Sequence, residues 1–206
     1  LKSVRINSEV PEHIHTIIFE LQTICAKYQL NLLLTILPNV AVELQVDAVE
    51  TRLKAVDLLA RLFGQQLKYM QTNPTIFDRF LNRLADVSSQ VRMKMIDVCG
   101  RMILLSPVMK EKLLPPMLLR LSDPDQNVRR ATVSMLCSIA GHRLDSFDED
   151  ALRGLCSRVR DKGKDVHKDC ATGLARLYNM HVGSQWPRRS VEEEDEEEED
   201  DIMEAK

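Results

Sequence analysis

Leu121–Ala140, LSDPDQNVRRATVSMLCSIA, is the stretch on which the rest of the chain turns. It reads as the end of one helix, a tight turn at Asp123-Pro124 and the start of a second helix. Arg129 follows the turn. Val128, Thr132, Met135, Leu136 and Ile139 then share one face at helical spacing. The same design occurs three more times, with Arg52, Arg92 and His167 at the position of Arg129 and Asp47, Asp86 and Asp161 at that of Asp123.

Aligned on that position, the units repeat every 37–40 residues, the range of helical solenoid repeats. The second helix of each pair carries four apolar or small columns: Ala55/Met95/Thr132/Cys170, Leu58/Val98/Met135/Gly173, Leu59/Cys99/Leu136/Leu174 and Leu62/Met102/Ile139/Leu177. The first helix carries Leu37/Phe77/Leu114/Leu152, Val40/Phe80/Met117/Leu155, Ala41/Leu81/Leu118/Cys156 and Leu44/Leu84/Leu121/Val159. A further column, Ala60/Gly100/Cys137/Ala175, is small throughout and lets neighbouring helices approach closely. A single helix pair cannot bury such faces, so the units must stack. The fold expected is all-α, a HEAT-type helical-repeat solenoid (an ARM-like superhelix) over residues 1–182. Its units lie at about 31–70, 74–105, 107–141 and 146–182, preceded by a helix at 9–28. Ser106-Pro107 and the box Ser146-Phe147-Asp148-Glu149 read as helix starts. Residues 183–191 read as a linker and 192–206 as a disordered acidic tail.

Composition agrees. Apolar residues make up 44% of the 206, aromatics only 4%, and Gly (7) and Pro (8) are sparse, which favours helices packed through Leu, Val, Met and Ala. No run of apolar residues is long enough to span a membrane. The chain begins at Leu1, with neither a Met nor a signal-peptide pattern, which fits a fragment, an incomplete gene product or a reduced relative alike. The net charge of −3 conceals a division. Residues 1–190 hold 27 basic and 20 acidic side chains, whereas 192–204 hold 11 acids, ten of them consecutive from Glu192 to Asp201. That run is solubilising, or else it mimics nucleic-acid charge and folds back on the basic body or meets a basic partner.

Three residue sets invite a chemical reading. Of the five cysteines, Cys99, Cys137, Cys156 and Cys170 fall in packing columns, where a thiol acts as a small hydrophobe. His167 and Cys170 lie one turn apart, but both belong to repeat columns, so no metal or cofactor site is expected. The Asp/Arg positions (Asp47, Arg52, Asp86, Arg92, Asp123, Arg129, Asp161, His167) recur once per unit. Catalytic groups seldom do, so these read as a structural ladder of arginines bridging turn carboxylates and carbonyls. Basic residues at outward positions, Lys54, Arg61, Lys94, Arg101 and Arg176 on second helices and Arg83, Arg120 and Arg158 on first helices, form a candidate partner surface. Asp57 and Asp97 each stand four residues before an arginine, which fits ordinary intrahelical pairs. Aromatics for base stacking are not interleaved, so direct nucleic-acid contact is weakly supported.

Three segments together, LLLTILPNVAVELQVDAVETRLKAVDLLARLFG, FLNRLADVSSQVRMKMIDVC and RDKGKDVHKDCATGLARLY, resemble the amino-terminal solenoid of the precocious-dissociation-of-sisters family over about residues 8–181. These are HEAT-repeat regulators of the cohesin ring. The resemblance implies a non-enzymatic, chromosome-associated nuclear scaffold of sister-chromatid cohesion. Its partners would be the cohesin kleisin and cohesin-release or establishment factors. The family's Ala-Pro-Asp-Ala-Pro element is absent, and His167 stands where an arginine is expected. The competing readings are a generic HEAT adaptor for transport or phosphatase assembly and a HEAT-like DNA glycosylase. The latter requires aromatic residues and a catalytic carboxylate on a basic concave face.

Overall fold

The computed structural model describes Glu20 and residues 30–65, 67–144 and 147–182. The helix expected at 9–28, Cys25, Ser146, the 183–191 linker and the acidic segment 192–206 lie outside the described residues.

Among the described residues nine α-helices follow one another: α1 (Leu30–Glu43), α2 (Val49–Gln65), α3 (Leu67–Thr72), α4 (Pro74–Leu81), α5 (Ser89–Leu105), α6 (Lys110–Leu118), α7 (Gln126–His142), α8 (Glu149–Ser157) and α9 (Lys164–His181). Among the described residues there is no strand, and no helix is long and apolar enough to cross a membrane. The chain forms an all-α stack of helix pairs, α1–α2, α4–α5, α6–α7 and α8–α9. The short α3 is an extra element between the first and second pairs.

Local chemistry sets the ends of these helices. Short 3-10 turns at Asn82–Ala85, Leu119–Ser122 and Arg158–Arg160 finish α4, α6 and α8. Each is followed by the Asp that opens the inter-helix turn. Asp125 caps α7 by accepting from the backbone N–H groups of Asn127 and Val128. Asp148 caps α8 by accepting from Ala151 N–H. Pro74 opens α4, and Pro107 opens the 3-10 turn that leads into α6.

The second helices form one packed row, α2 on α5, α5 on α7 and α7 on α9, while α1 packs on α4. The repeat columns line this core. Leu37, Val40, Leu44, Ala55, Leu59, Leu62, Phe80, Met95, Cys99, Met117, Leu136 and Ile139 are all buried. Two further columns are buried in the first three units, Val56/Ile96/Val133 and Phe63/Ile103/Ala140. Phe63 also closes a three-ring cluster, with its centroid 5.2 Å from Phe77 and 5.6 Å from Phe80, both edge-on. Each such buried side chain contributes about 1.5–3 kcal/mol. The fourth unit is less enclosed. Leu152, Val159 and Leu174 are half-buried, and Cys156 is exposed, although its column is covered in the first unit. No described helix covers the outer side of α8–α9.

The small column acts where two second helices are closest. A methyl group added at Gly100 would lie 2.1 Å from Met135 Sδ and 2.3 Å from its Cγ. Met135 on α7 therefore occupies the room that glycine leaves on α5. Between α7 and α9 the small residues change sides. A Cβ at Gly173 would meet Cys137 Sγ at 2.4 Å. Gly64, by contrast, faces open space.

Glycine within a helix ordinarily costs about 0.5–1 kcal/mol relative to alanine. At Gly100 the overlap with Met135 reverses that sign. Gly100→Ala is expected to destabilise the stack by about 1–3 kcal/mol, with recovery in the Gly100→Ala/Met135→Ala pair. Gly64→Ala should be neutral or stabilising. Urea-unfolding midpoints followed by circular dichroism check all three.

Candidate functional site: the Arg–Asp ladder and the second-helix face

At the turn of each pair the chain buries a carboxylate. Asp86 and Asp123 have fully buried side chains, and Asp161 is 2% exposed. Each is held by a guanidinium from the preceding unit. Arg52 donates through Nε and Nη2 to Asp86 at 3.0 and 2.9 Å. Arg92 donates in the same way to Asp123 at 2.9 and 2.8 Å, and Arg129 to Asp161 at 2.9 and 2.8 Å. The remaining nitrogen, Nη1, turns back into the arginine's own unit. There it meets the carbonyls of Val46 and Asp47, of Asp86 and Val87, or of Asp123 and Pro124. One flat fork thus joins two turns, a geometry that lysine could not supply.

Each carboxylate takes two more bonds. The backbone N–H two residues on donates to Oδ1: Ser88 to Asp86 at 2.8 Å, Asp125 to Asp123 at 3.0 Å and Gly163 to Asp161 at 2.8 Å. The arginine three residues before donates to Oδ2: Arg83 at 2.9 Å, Arg120 at 3.2 Å and Arg158 at 3.4 Å. Arg83 and Arg158 also reach back to the carbonyls of Leu44 and Leu121. These three arginines differ from the sequence reading, which put them on the partner surface. They are mostly buried and point inward, because Arg-x-x-Asp at the helix end sets each guanidinium beside its own turn carboxylate. That spacing, repeated as Arg83/Asp86, Arg120/Asp123 and Arg158/Asp161, was the available signal.

The two outer members of the ladder set stand apart. Asp47 is exposed and enters through its backbone carbonyl alone. His167 is exposed. An imidazole also lacks the fork that bridges two turns.

Charge follows this geometry. Burial alone would raise the pKa of Asp86. Hydrogen bonds from Arg52 and Ser88 N–H, with the charges of Arg52 and Arg83, hold it below the usual carboxylate range instead. The Arg129 hydrogen bond, against opposing burial, lowers Asp161, and the same bond raises Arg129.

The second helices present the other basic residues. Arg61 and Arg101 are more than half exposed and pair with Asp57 and Asp97 one turn before them, both at 2.7 Å. Lys94 crosses from α5 to Asp57 on α2 at 2.8 Å. Lys54 is half-buried, whereas Arg176 is exposed and makes no ion pair among the described residues. Two grooves open on this face. One of about 400 Å³ lies between α2 and α5, flanked by Arg61, Arg101 and Leu105. The other, of about 600 Å³, lies between α7 and α9.

Burial pushes the Cys99 thiol up to about 12, and Cys137 and Cys170 to about 11. Cys170 Sγ donates to the carbonyl of Leu155 at 3.3 Å, while His167 faces solvent, so the two do not converge. Among the described residues no group of three or more His, Cys, Asp or Glu is placed to hold a metal ion.

The profile of the family described as sister chromatid cohesion protein PDS5 matches residues 5–202. The chain is similar to sister chromatid cohesion protein PDS5 homolog A of Arabidopsis thaliana, at 31% identity over 81% of this chain and 10% of that protein. It is 28% identical to the Homo sapiens homolog A over 84% of this chain and 13% of that protein. A solved structure of a Pds5–Scc1 complex superposes with a TM-score of 0.74 at 18% identity, covering 90% of this chain and 28% of that one. The chain therefore spans about an eighth of the curated relatives it matches.

Two outcomes are expected of the ladder. Arg92→Ala leaves the buried Asp123 carboxylate with only Arg120 and the Asp125 N–H and should destabilise the chain by about 3 kcal/mol. Arg101→Ala, which breaks an exposed intrahelical pair, should cost about 0.5 kcal/mol or less. Urea titration separates the two. Because the pKa values of Asp86 and Asp161 are lowered by folding, their stabilisation is complete above the unfolded-state value of about 3.9. It is lost as pH falls through the lower folded-state values. Asp86→Asn should flatten the decline in unfolding midpoint across that acidic window while lowering the midpoint at neutral pH.

Proposed function

Starting from the fact that the chain belongs to the sister chromatid cohesion protein PDS5 family, we propose that it acts as a non-enzymatic scaffold of sister-chromatid cohesion. In this reading its solenoid binds the cohesin kleisin and cohesin-release or establishment factors on chromosomes in the nucleus. The observation that carries this is the family match across nearly the whole chain. It is supported by the likeness in fold to a protein solved in complex with Scc1.

The distribution of charge supports a particular binding face. The ladder holds Arg52, Arg83, Arg92, Arg120, Arg129 and Arg158 inside the stack. The exposed basic side chains Arg61, Arg101 and Arg176 rim the second-helix grooves. An acidic or mixed-charge helix or extended segment of a partner would meet apolar floors between arginine rims there. Charge of this kind governs association rate and salt dependence more than the final affinity. A generic adaptor role would use the same face with other partners. The glycosylase reading has less support: Phe63, Phe77, Phe80 and Tyr69 are buried in packing rather than set on that face.

The full chain is expected to retain a cohesin kleisin in a pull-down at low salt. The triple charge reversal Arg61→Glu/Arg101→Glu/Arg176→Glu should weaken that capture roughly tenfold, mainly through slower association. Arg101→Ala alone should scarcely change it. No capture by the wild-type chain at low salt would refute the kleisin assignment.

A further inference from the structure

We propose that the groove between α7 and α9 is the docking site of this chain's own segment beyond Val182. Trp186 would sit on the groove's apolar floor, and the acidic run Glu192–Asp201 would cross its arginine rim. The tail would compete there with the partner assigned to this face above, but its test reads the tail alone and does not require kleisin binding.

The groove suits a single large aromatic side chain. Its volume is about 600 Å³, and Cys137, Gly141, Gly173, Leu177 and Met180 contribute the apolar part of its lining. Cys137 fills the room at Gly173, whereas a Cβ at Gly141 would meet Leu177 and Met180 only at 3.8 Å, so the groove is open on that side. Met180 is left 54% exposed, an unusual state for a methionine flanking an apolar trough. Ser134, Ser138 and Thr172 on the walls offer hydroxyl acceptors for an indole N–H. Trp186 is the only tryptophan of the chain, and it combines a large apolar body with one donor.

Reach and charge single out this occupant. The described chain leaves α9 at Val182, two residues past Met180, and Trp186 lies four residues further on. Four extended residues span at most about 14 Å. The stretch of α9 from Asp169 to Met180 is about 16 Å long. Trp186 can therefore enter the α7–α9 groove, whereas the α2–α5 groove lies two units away. At the rim, Arg176 is exposed and makes no ion pair among the described residues. Arg130 pairs with Asp169 at 2.6 Å, neutralising the acid that lines the groove. A run of ten acids faces a body with seven more basic than acidic residues over 1–190. Intramolecular attachment supplies a high effective concentration, so the contacts need only modest intrinsic strength.

Fluorescence of the single tryptophan tests this on the intact chain, with a peptide of residues 183–206 as the exposed reference. Acrylamide quenching of the intact chain is expected to be about two- to threefold weaker than that of the peptide, as for a mostly closed form, with emission shifted to the blue. Met180→Glu should restore peptide-like quenching at unchanged helicity. Arg176→Glu should restore it in part and remove the salt sensitivity of the protection. Quenching of the wild-type chain equal to that of the peptide would overturn the proposal. Protection that ignores Met180→Glu would overturn the site. Protection that grows with protein concentration would assign the groove to a second copy instead.

Discussion

The buried turn carboxylate is the constraint on which the stack depends. Removing a charged carboxylate from water costs several kcal/mol, and a single counter-ion seldom recovers it. Asp86 is kept ionised by four donors from three parts of the chain: the fork of Arg52, the inward Arg83 and the N–H of Ser88. Asp123 and Asp161 repeat the arrangement. Because the fork comes from the preceding unit and the other donors from the same unit, the carboxylate is satisfied only when two units sit in one register. A slip of one helical turn would leave the charge buried and the fork empty. The ladder's main contribution is therefore specificity of stacking, while apolar burial supplies most of the stability.

That division of labour shapes the surface. With six arginines held inside the stack, Arg61, Arg101 and Arg176 are left exposed on the second helices, as Arg79, Lys112 and Arg153 are on the first. The grooves between second helices follow from the same small column that permits close approach. Where Met135 lies over Gly100, α5 and α7 interlock. Where Cys137 lies over Gly173, α7 and α9 interlock in the same way, and the α7–α9 groove opens beside that contact, at Gly141, Leu177 and Met180.

Much of this was legible in the sequence, because solenoid burial is periodic. Eight columns at helical spacing identified the helix pairs, and the recurrence of Asp and Arg once per unit pointed to a ladder. The direction of the ladder was not legible. Nothing in a spacing of six residues says that Arg92 answers Asp123 rather than Asp86; that follows from how the units are staggered in space. Arg83, Arg120 and Arg158 were misplaced for a related reason. A helix-end arginine looks solvent-facing on a helical wheel, and only the 3-10 turn in which it stands folds the guanidinium back onto its aspartate. Cys156 fails in the opposite sense: its column predicts burial, but no described helix lies outside the fourth unit to provide it.

The polarity of the ladder bears on what can be added to the fourth unit. Each rung runs from an arginine to the aspartate of the following unit, and the fourth unit carries His167 where that arginine would be. An imidazole cannot grip a carboxylate and two turn carbonyls at once, and His167 is exposed. An element packed on α8–α9 must therefore be held through half-buried Leu152, Val159 and Leu174 rather than through a further rung. Apolar contact alone is tolerant of register and orientation. The charged, geometry-bound stacking of the first three junctions thus gives way at the fourth unit to a surface whose occupant is selected by shape and charge, and the α7–α9 groove opens beside it.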